Sequence, residues 1–238
     1  MTEFSAERLL PQEQILLHEL NHRINNEFAA AISVVSVAAV RSGSNDVKAA
    51  LSRVAELLHR CAEVHRALQM PEHDIVSDAE TYVRRLCVSI SRSYLSHRKI
   101  KLVLATEPLQ LDANRCWRLG LIVYELVINS ARHAFPGDEG EIRVELLRAG
   151  AIAQCRVTDN GSAAATAAPG RGLKIIDELS KSLGGRLEQS FGSRGSRSIL
   201  TLPCGSEPPV IPGGTRRGVQ ISEDAAQALD DSPSTAPY

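Results

Sequence analysis

Within residues 13–35, EQILLHELNHRINNEFAAAISVV, the apolar residues Leu17, Leu20, Ile24, Phe28, Ala31 and Val35 recur three or four positions apart. At about 100° per residue they fall on one stripe of a helix, which can run from about Pro11 to Val40. RSGSND at 41–46 then supplies a turn and an N-cap, Ser44 or Asn45. A second helix to about Leu68 carries Leu51, Val54, Leu58, Cys61, Val64 and Leu68 on one side. Two long amphipathic helices with a short connection form an antiparallel hairpin. Each helix buries only one side against its mate, so a second copy is expected to cover the rest in a dimeric four-helix bundle. Packing of the hairpin on its own downstream domain is the alternative.

Beyond the Pro71 linker the pattern changes. Tyr82, Leu86, Cys87, Ile90 and Tyr94 predict a helix from about Asp78 to Leu95, and KIKLVLA at 99–105 alternates as a strand. A helix from about Ala113 to Ala134 follows. IRVELLR and AIAQCRVTD then read as antiparallel strands joined near Ala149 and Gly150, and GSAAATAAPG at 161–170 as a loop. A helix from about Leu173 to Leu183 is stopped by Gly184 and Gly185, which suit a left-handed C-cap, and strands at about 186–191 and 197–202 complete the order. This succession predicts an α+β fold, an α/β sandwich with helices on one face of a mixed sheet. From Cys204 onward, five of the eleven prolines fall in 35 residues, and the tail reads as mostly disordered. The expected organisation is an N-terminal extension at 1–10, the hairpin at 11–70, the sandwich domain at 76–203 and the tail at 204–238.

Composition narrows the possibilities. Hydrophobic residues make up 43% and charged residues 23%, ordinary for a globular protein, and the formal net charge of −1 gives no field favouring nucleic acid. No apolar run approaches the 18 or so residues that span a bilayer, and the N-terminus lacks the apolar core of a secretion signal; a cytoplasmic location is expected. Cys61, Cys87, Cys116, Cys155 and Cys204 are odd in number, scattered and without CxxC spacing, which argues for reduced thiols instead of disulfides or a zinc site.

His22 lies about 155° from the centre of the first helix's apolar stripe, so its imidazole is expected to face away from its own hairpin core. The run HELNHRINNEF around it resembles the phosphoacceptor box of HWE-type sensor histidine kinases, with the HisKA class as the alternative; Glu19, Leu20, His22, Arg23, Ile24 and Asn26 fit. That resemblance demands an ATP-binding domain downstream.

In ELVINSARHAF, Glu125, Asn129 and His133 stand four apart on one helical face with Arg132 beside them. A carboxylate and a carboxamide so placed can jointly hold a hydrated Mg²⁺, and Arg132 and His133 can meet phosphate oxygens. The segment resembles the N box of the GHKL ATPases, with Arg132 in place of the usual Lys. VTDNG at 157–161 puts a carboxylate at a strand end. By the same resemblance Asp159 takes the adenine amino group, and Gly161 lets the base approach the backbone. GRGLKII at 170–176 opens a helix with unpaired backbone N–H groups and resembles the family's second glycine box, which implies phosphate contacts for Gly170, Gly172 and Leu173. Two departures stand out: Ala163 replaces the family's second glycine, and the ATP lid between Gly161 and Gly170 is short and rich in alanine.

The resemblance, from about Glu13 to Pro203, implies a two-component histidine kinase using ATP and Mg²⁺. His22 would attack the γ-phosphorus and hand the phosphoryl group to an aspartate of a response regulator. Glu19 would bond the other ring nitrogen, Arg23 would draw in phosphate oxygens, and Asn129 with Glu125 would hold the metal. Residues 1–10 are too few for a sensor, so input is expected from a partner, the dimer state or the tail. The rivals are a histidine phosphotransferase with a degenerate ATPase-like domain and a GHKL kinase acting on serine.

Overall fold

The computed structural model describes residues 11–71, 77–137, 139–162, 171–205 and 217–221. Helix α1, Pro11–Arg41, turns at Gly43 into α2, Asn45–Ala67. Ser44 is the N-cap of α2, its Oγ accepting from the backbone N–H of Val47 at 3.5 Å. Leu17, Ile24, Phe28 and Val35 of the predicted stripe are half-buried. Leu20, also on that stripe, is 53% exposed.

The hairpin is rooted in the rest of the chain. Val64 and Ala67, in the last turns of α2, belong to the same apolar core as the helices and sheet that follow. Ala79–Ile90 forms α3, capped by Asp78, whose Oδ1 accepts from the N–H of Glu80 at 3.0 Å and of Thr81 at 3.3 Å. The single helix expected to Leu95 is corrected here: Ser91–Leu95 widens into a π-helical turn. The wider turn carries Ser93 and Leu95 inward, where Ser93 Oγ donates to the carbonyl of Arg60 on α2 at 3.0 Å.

The sheet is built from β2 (Lys99–Thr106), β4 (Glu139–Ala149), β5 (Ile152–Asp159), β6 (Arg186–Gly192), β7 (Gly195–Pro203) and β8 (Arg217–Ile221), in the order β6-β7-β5-β4-β2-β8. β2 and β4 run parallel, and the other pairs are antiparallel. A minor pair, β1 (Ser77–Asp78) with β3 (Gln110–Leu111), sits apart. Burial alternates along the strands: Ile100, Leu102 and Leu104 of β2 and Ile142, Val144 and Leu146 of β4 point to one face. That face receives α3, α4 (Ala113–His133) and α5 (Arg171–Ser182), as the mixed-sheet expectation requires. Asp112 caps α4, its Oδ1 accepting from the N–H of Arg115 at 3.0 Å. Gly184 ends α5 in the left-handed region, φ 66°, with its N–H donating to the carbonyl of Lys181.

The tail is corrected at one place. Arg217–Ile221 is a strand that pairs with β2 from Thr106↔Arg217 to Leu102↔Ile221, because the outer edge of β2 offers unpaired backbone groups that five residues can satisfy. The remainder of the tail beyond Gly205 lies outside the described residues.

All five thiols are free; Cys87, Cys116 and Cys155 are buried, while Cys61 and Cys204 are half-buried. Burial pushes the Cys155 and Cys116 thiols up to about 12. At neutral pH a thiol reagent is expected to modify Cys61 and Cys204 first, leaving the other three unreacted until the protein unfolds; peptide mapping by mass spectrometry checks the order.

Candidate functional site

Two groups of the expected residues meet around α4. In the first, Glu125 and Asn129, four apart, project half-buried from one face, with Arg132 and His133 exposed one turn on. The first turn of α5 is laid against that face. A Cβ added at Gly172 would stand 3.1 Å from Glu125 Oε2 and 3.8 Å from Asn129 Nδ2. The positive end of α5, whose first backbone N–H groups have no acceptor within the helix, is thereby brought to the carboxylate and carboxamide of α4. Leu173 is half-buried and packs on the core, so it can offer an anion its backbone N–H but no side-chain donor. Gly170 lies outside the described residues, as do Ala163 and the rest of the expected lid at 163–170.

The second group centres on Asp159. As the last residue of β5 it falls on the inward phase of the strand and is 8% exposed. Its Oδ1 accepts from the backbone N–H of Gly161 and of Ser196, each at 3.1 Å. Its Oδ2 accepts from Ser130 Oγ at 2.8 Å and Ser196 Oγ at 2.5 Å. A buried carboxylate is tolerable only with such donors. Asn160 pins the turn, its Oδ1 accepting from the N–H of Glu141 at 2.7 Å. Gly161 is required here by its nearness to α4: an added Cβ would fall 2.2 Å from the carbonyl oxygen of Ala134. Gly195, at φ 124°, meets Asp159 itself, with a Cβ position 1.9 Å from that residue's carbonyl oxygen. Beside Asp159 opens a cavity of about 440 Å³, lined by the hairpin from Ser190 to Arg197.

Ser130 joins the two groups. It follows Asn129 on α4, so one helical step turns from the face that meets α5 to the face that holds Asp159. Neither Ser130 nor Ser196 was legible as a site residue. Serine is common, and their shared partner lies 29 and 37 residues away.

The third set stands on α1. His22 is exposed, as its position off the stripe implied. Its Nδ1 lies 3.3 Å from Asn26 Nδ2. Glu19 does not take the ring nitrogen. It accepts from Arg23 Nε at 2.8 Å, because a cation four residues on competes better for the carboxylate than a neutral imidazole three residues on. That guanidinium holds the Glu19 carboxyl below its ordinary value.

For a divalent cation the donor set on α4 is one carboxylate and one carboxamide, both partly open. That suits Mg²⁺, which retains several waters and takes oxygen ligands from phosphates. Among the described residues no group of three or more His, Cys, Asp or Glu is placed to hold a metal alone. Among them, too, no helix is long and apolar enough to cross a membrane.

Two family models match the chain, one described as histidine kinase over residues 19–94 and one as histidine kinase-like ATPase domain over residues 96–196. Blue-light-activated histidine kinase 1 of Erythrobacter litoralis is 24% identical over 210 residues, 85% of this chain and 57% of that protein. Sensor histidine kinase PdtaS of Mycobacterium tuberculosis is 24% identical over 211 residues, 84% of this chain and 41% of that protein. The chain therefore spans about half the length of these curated relatives. Among solved structures, the histidine kinase domain of the Erythrobacter litoralis blue-light activated kinase has a TM-score of 0.53 at 21% identity, covering 80% of this chain and 92% of that one. Full-length ShkA, solved in complex with AMPPNP, has a TM-score of 0.52 at 15% identity, covering 83% and 47%. At these identities the structures establish a shared fold. With adjoining family models running from Glu19 to Ser196 in the order box, then nucleotide motifs, the chain belongs to the histidine kinase family.

Proposed function

We propose that the chain is a protein histidine kinase that phosphorylates His22 from ATP and passes the phosphoryl group to an aspartate of a response regulator. Residues 11–70 serve as the phosphotransfer hairpin and 76–203 as the ATP-binding domain. The observation that carries the reading is the pairing of an exposed, hydrogen-bonded His22 on α1 with a buried, four-donor Asp159 beside the junction of α4 and α5.

In this reading Asp159 takes the amino edge of adenine, and the phosphates run towards the first turn of α5. There the backbone N–H groups of Gly172 and Leu173, with Gly170, Arg132 and His133, meet their oxygens. Glu125 and Asn129 hold Mg²⁺, which when bound offsets phosphate charge. The nucleophile is His22 Nε2, whose lone pair is free when the proton sits on Nδ1. Asn26 secures that tautomer with its amide turned so that Oδ1 accepts the Nδ1–H. A P–N bond then forms as the bond from the γ-phosphorus to the bridging oxygen breaks and ADP departs. Arg23, tied to Glu19, offers its remaining N–H groups to the phosphoryl oxygens. Asn26→Ala is expected to slow labelling roughly tenfold, the scale of one hydrogen bond of about 1–1.5 kcal/mol, without changing nucleotide affinity. Initial rates at saturating ATP check this.

The hairpin is also the natural dimer surface. Leu16, Val34 and Val40 on α1 and Val47, Val54 and Leu57 on α2 remain exposed, Val40 at 80%. A second hairpin would cover them.

The direct test is incubation with Mg²⁺ and γ-labelled ATP. Label on the protein that is labile to acid and stable to alkali, and that moves to a receiver domain, establishes the reading. Acid-stable label overturns it in favour of a hydroxyl acceptor. Absence of label from ATP, with uptake from a phosphorylated receiver, would favour the phosphotransferase alternative, to which Ala163 and the short lid point.

A further inference from the structure

The carboxylate of Asp159 is fixed at both oxygens, and the two oxygens are fixed differently. Backbone N–H groups of Gly161 and Ser196 hold Oδ1, each at 3.1 Å. Two hydroxyls converge on Oδ2, Ser130 at 2.8 Å and Ser196 at 2.5 Å. The Ser130 hydroxyl comes from the last turn of α4, three residues before its end, is 9% exposed, and is the one side-chain donor in the set carried by a helix. The Ser196 hydroxyl comes from the first residues of β7, directly after Gly195, whose backbone lies against the Asp159 carbonyl.

A carboxylate held this way is an acceptor with a fixed plane. It cannot turn to suit a different partner, and as a carboxylate it presents acceptor oxygens only. A base edge that meets it must bring a donor. An amino group at the purine 6-position satisfies that rule, whereas a 6-carbonyl sets acceptor against acceptor. We propose that Ser130, with Ser196, is a specificity-determining positioning residue, holding Asp159 in the one orientation that admits 6-amino purine nucleotides and rejects 6-oxo ones. The inference rests on the nucleotide-binding reading of Asp159 given above. It goes beyond it in assigning the discrimination to a hydroxyl on α4 and not to the carboxylate alone.

Without Ser130 the carboxylate loses its helix-side anchor, and its terminal torsion, broad for any Asp, is free to relax. The expected result is weaker binding of the amino purine and a smaller preference for it. The experiment is isothermal titration of the full chain with MgADP and MgGDP, for wild type, Ser130→Ala, Ser196→Ala and the double variant. Wild type is expected to prefer MgADP. Ser130→Ala should weaken MgADP roughly tenfold while leaving MgGDP nearly unchanged, so that the ratio of the two constants narrows by about the same factor. The double variant should fall short of the product of the single effects, because both hydroxyls act on one oxygen. A role in stability alone would lower the melting temperature and weaken both nucleotides equally. An unchanged ratio in a folded Ser130→Ala protein overturns the proposal and leaves nucleotide binding intact. If that variant does not fold, Ser196→Ala, at the partly exposed strand start, decides by the same ratio. Failure of wild type to bind either nucleotide would overturn the nucleotide reading and this inference with it.

Discussion

His22→Ala is expected to bring acid-labile labelling down to background, a loss of at least about a thousandfold, while MgADP affinity and melting temperature stay at wild-type values. The asymmetry follows from where the side chain stands. His22 is exposed, and its one hydrogen bond goes to Asn26, which is exposed as well. Alanine is a better helix former than histidine, so α1 loses nothing in propensity. No group of the Asp159 cluster touches α1 among the bonds described above, so the nucleotide end is untouched. The nearest competing imidazole is His18, one turn earlier and also exposed. If His18 were the acceptor, His22→Ala would keep its label and His18→Ala would lose it, and the assignment of His22 would fail.

Asp159→Ala is expected to remove nucleotide binding, by at least about a hundredfold, and to lower stability at the same time. Four donors lose their acceptor together: the hydroxyls of Ser130 and Ser196 and the N–H groups of Gly161 and Ser196. Hydroxyls can turn to other partners and backbone N–H groups cannot, so a cost of about 3 kcal/mol is the right scale. For a chain of this size that corresponds to a fall in melting temperature of roughly 6–12 °C. Asp159→Asn separates the two effects. It keeps the volume and one acceptor oxygen for the backbone N–H groups, and its amide can face hydroxyls that rotate to accept. Melting should therefore be near wild type while binding is still lost. Equal losses of stability and binding in both variants would show that the carboxylate's role is structural.

Much of this was legible in the chain itself, for identifiable reasons. Ser44 and Gly184 are local signals whose meaning depends on their immediate neighbours, and the structure uses both as expected. The strands were readable because the sheet has one buried face, so that Ile100, Leu102 and Leu104 alternate with less buried neighbours. The π-helical turn was not, since Ile90 and Tyr94 have the same spacing in either kind of turn; what selects it is the pull of Ser93 towards Arg60, 33 residues away. The tail strand was hidden by composition, five residues set among prolines and glycines, with a partner strand more than a hundred residues earlier. Glu19 was given the wrong partner because a helical wheel shows proximity but not which of two nearby groups offers the stronger bond. Ser130 stood inside a recognised motif at a position that the motif leaves open.

The rooting of α2 has a mechanical consequence. Because Val64 and Ala67 share the core of the sheet domain, the last turns of α2 form a close-packed stump on it. α1 packs against α2, so a twist applied to α1 is felt by the sheet domain through that stump. The turn at Ser42–Ser44 is then the long arm of a lever whose fulcrum is the last turns of α2, and the π-helical turn is the bearing on which it rests.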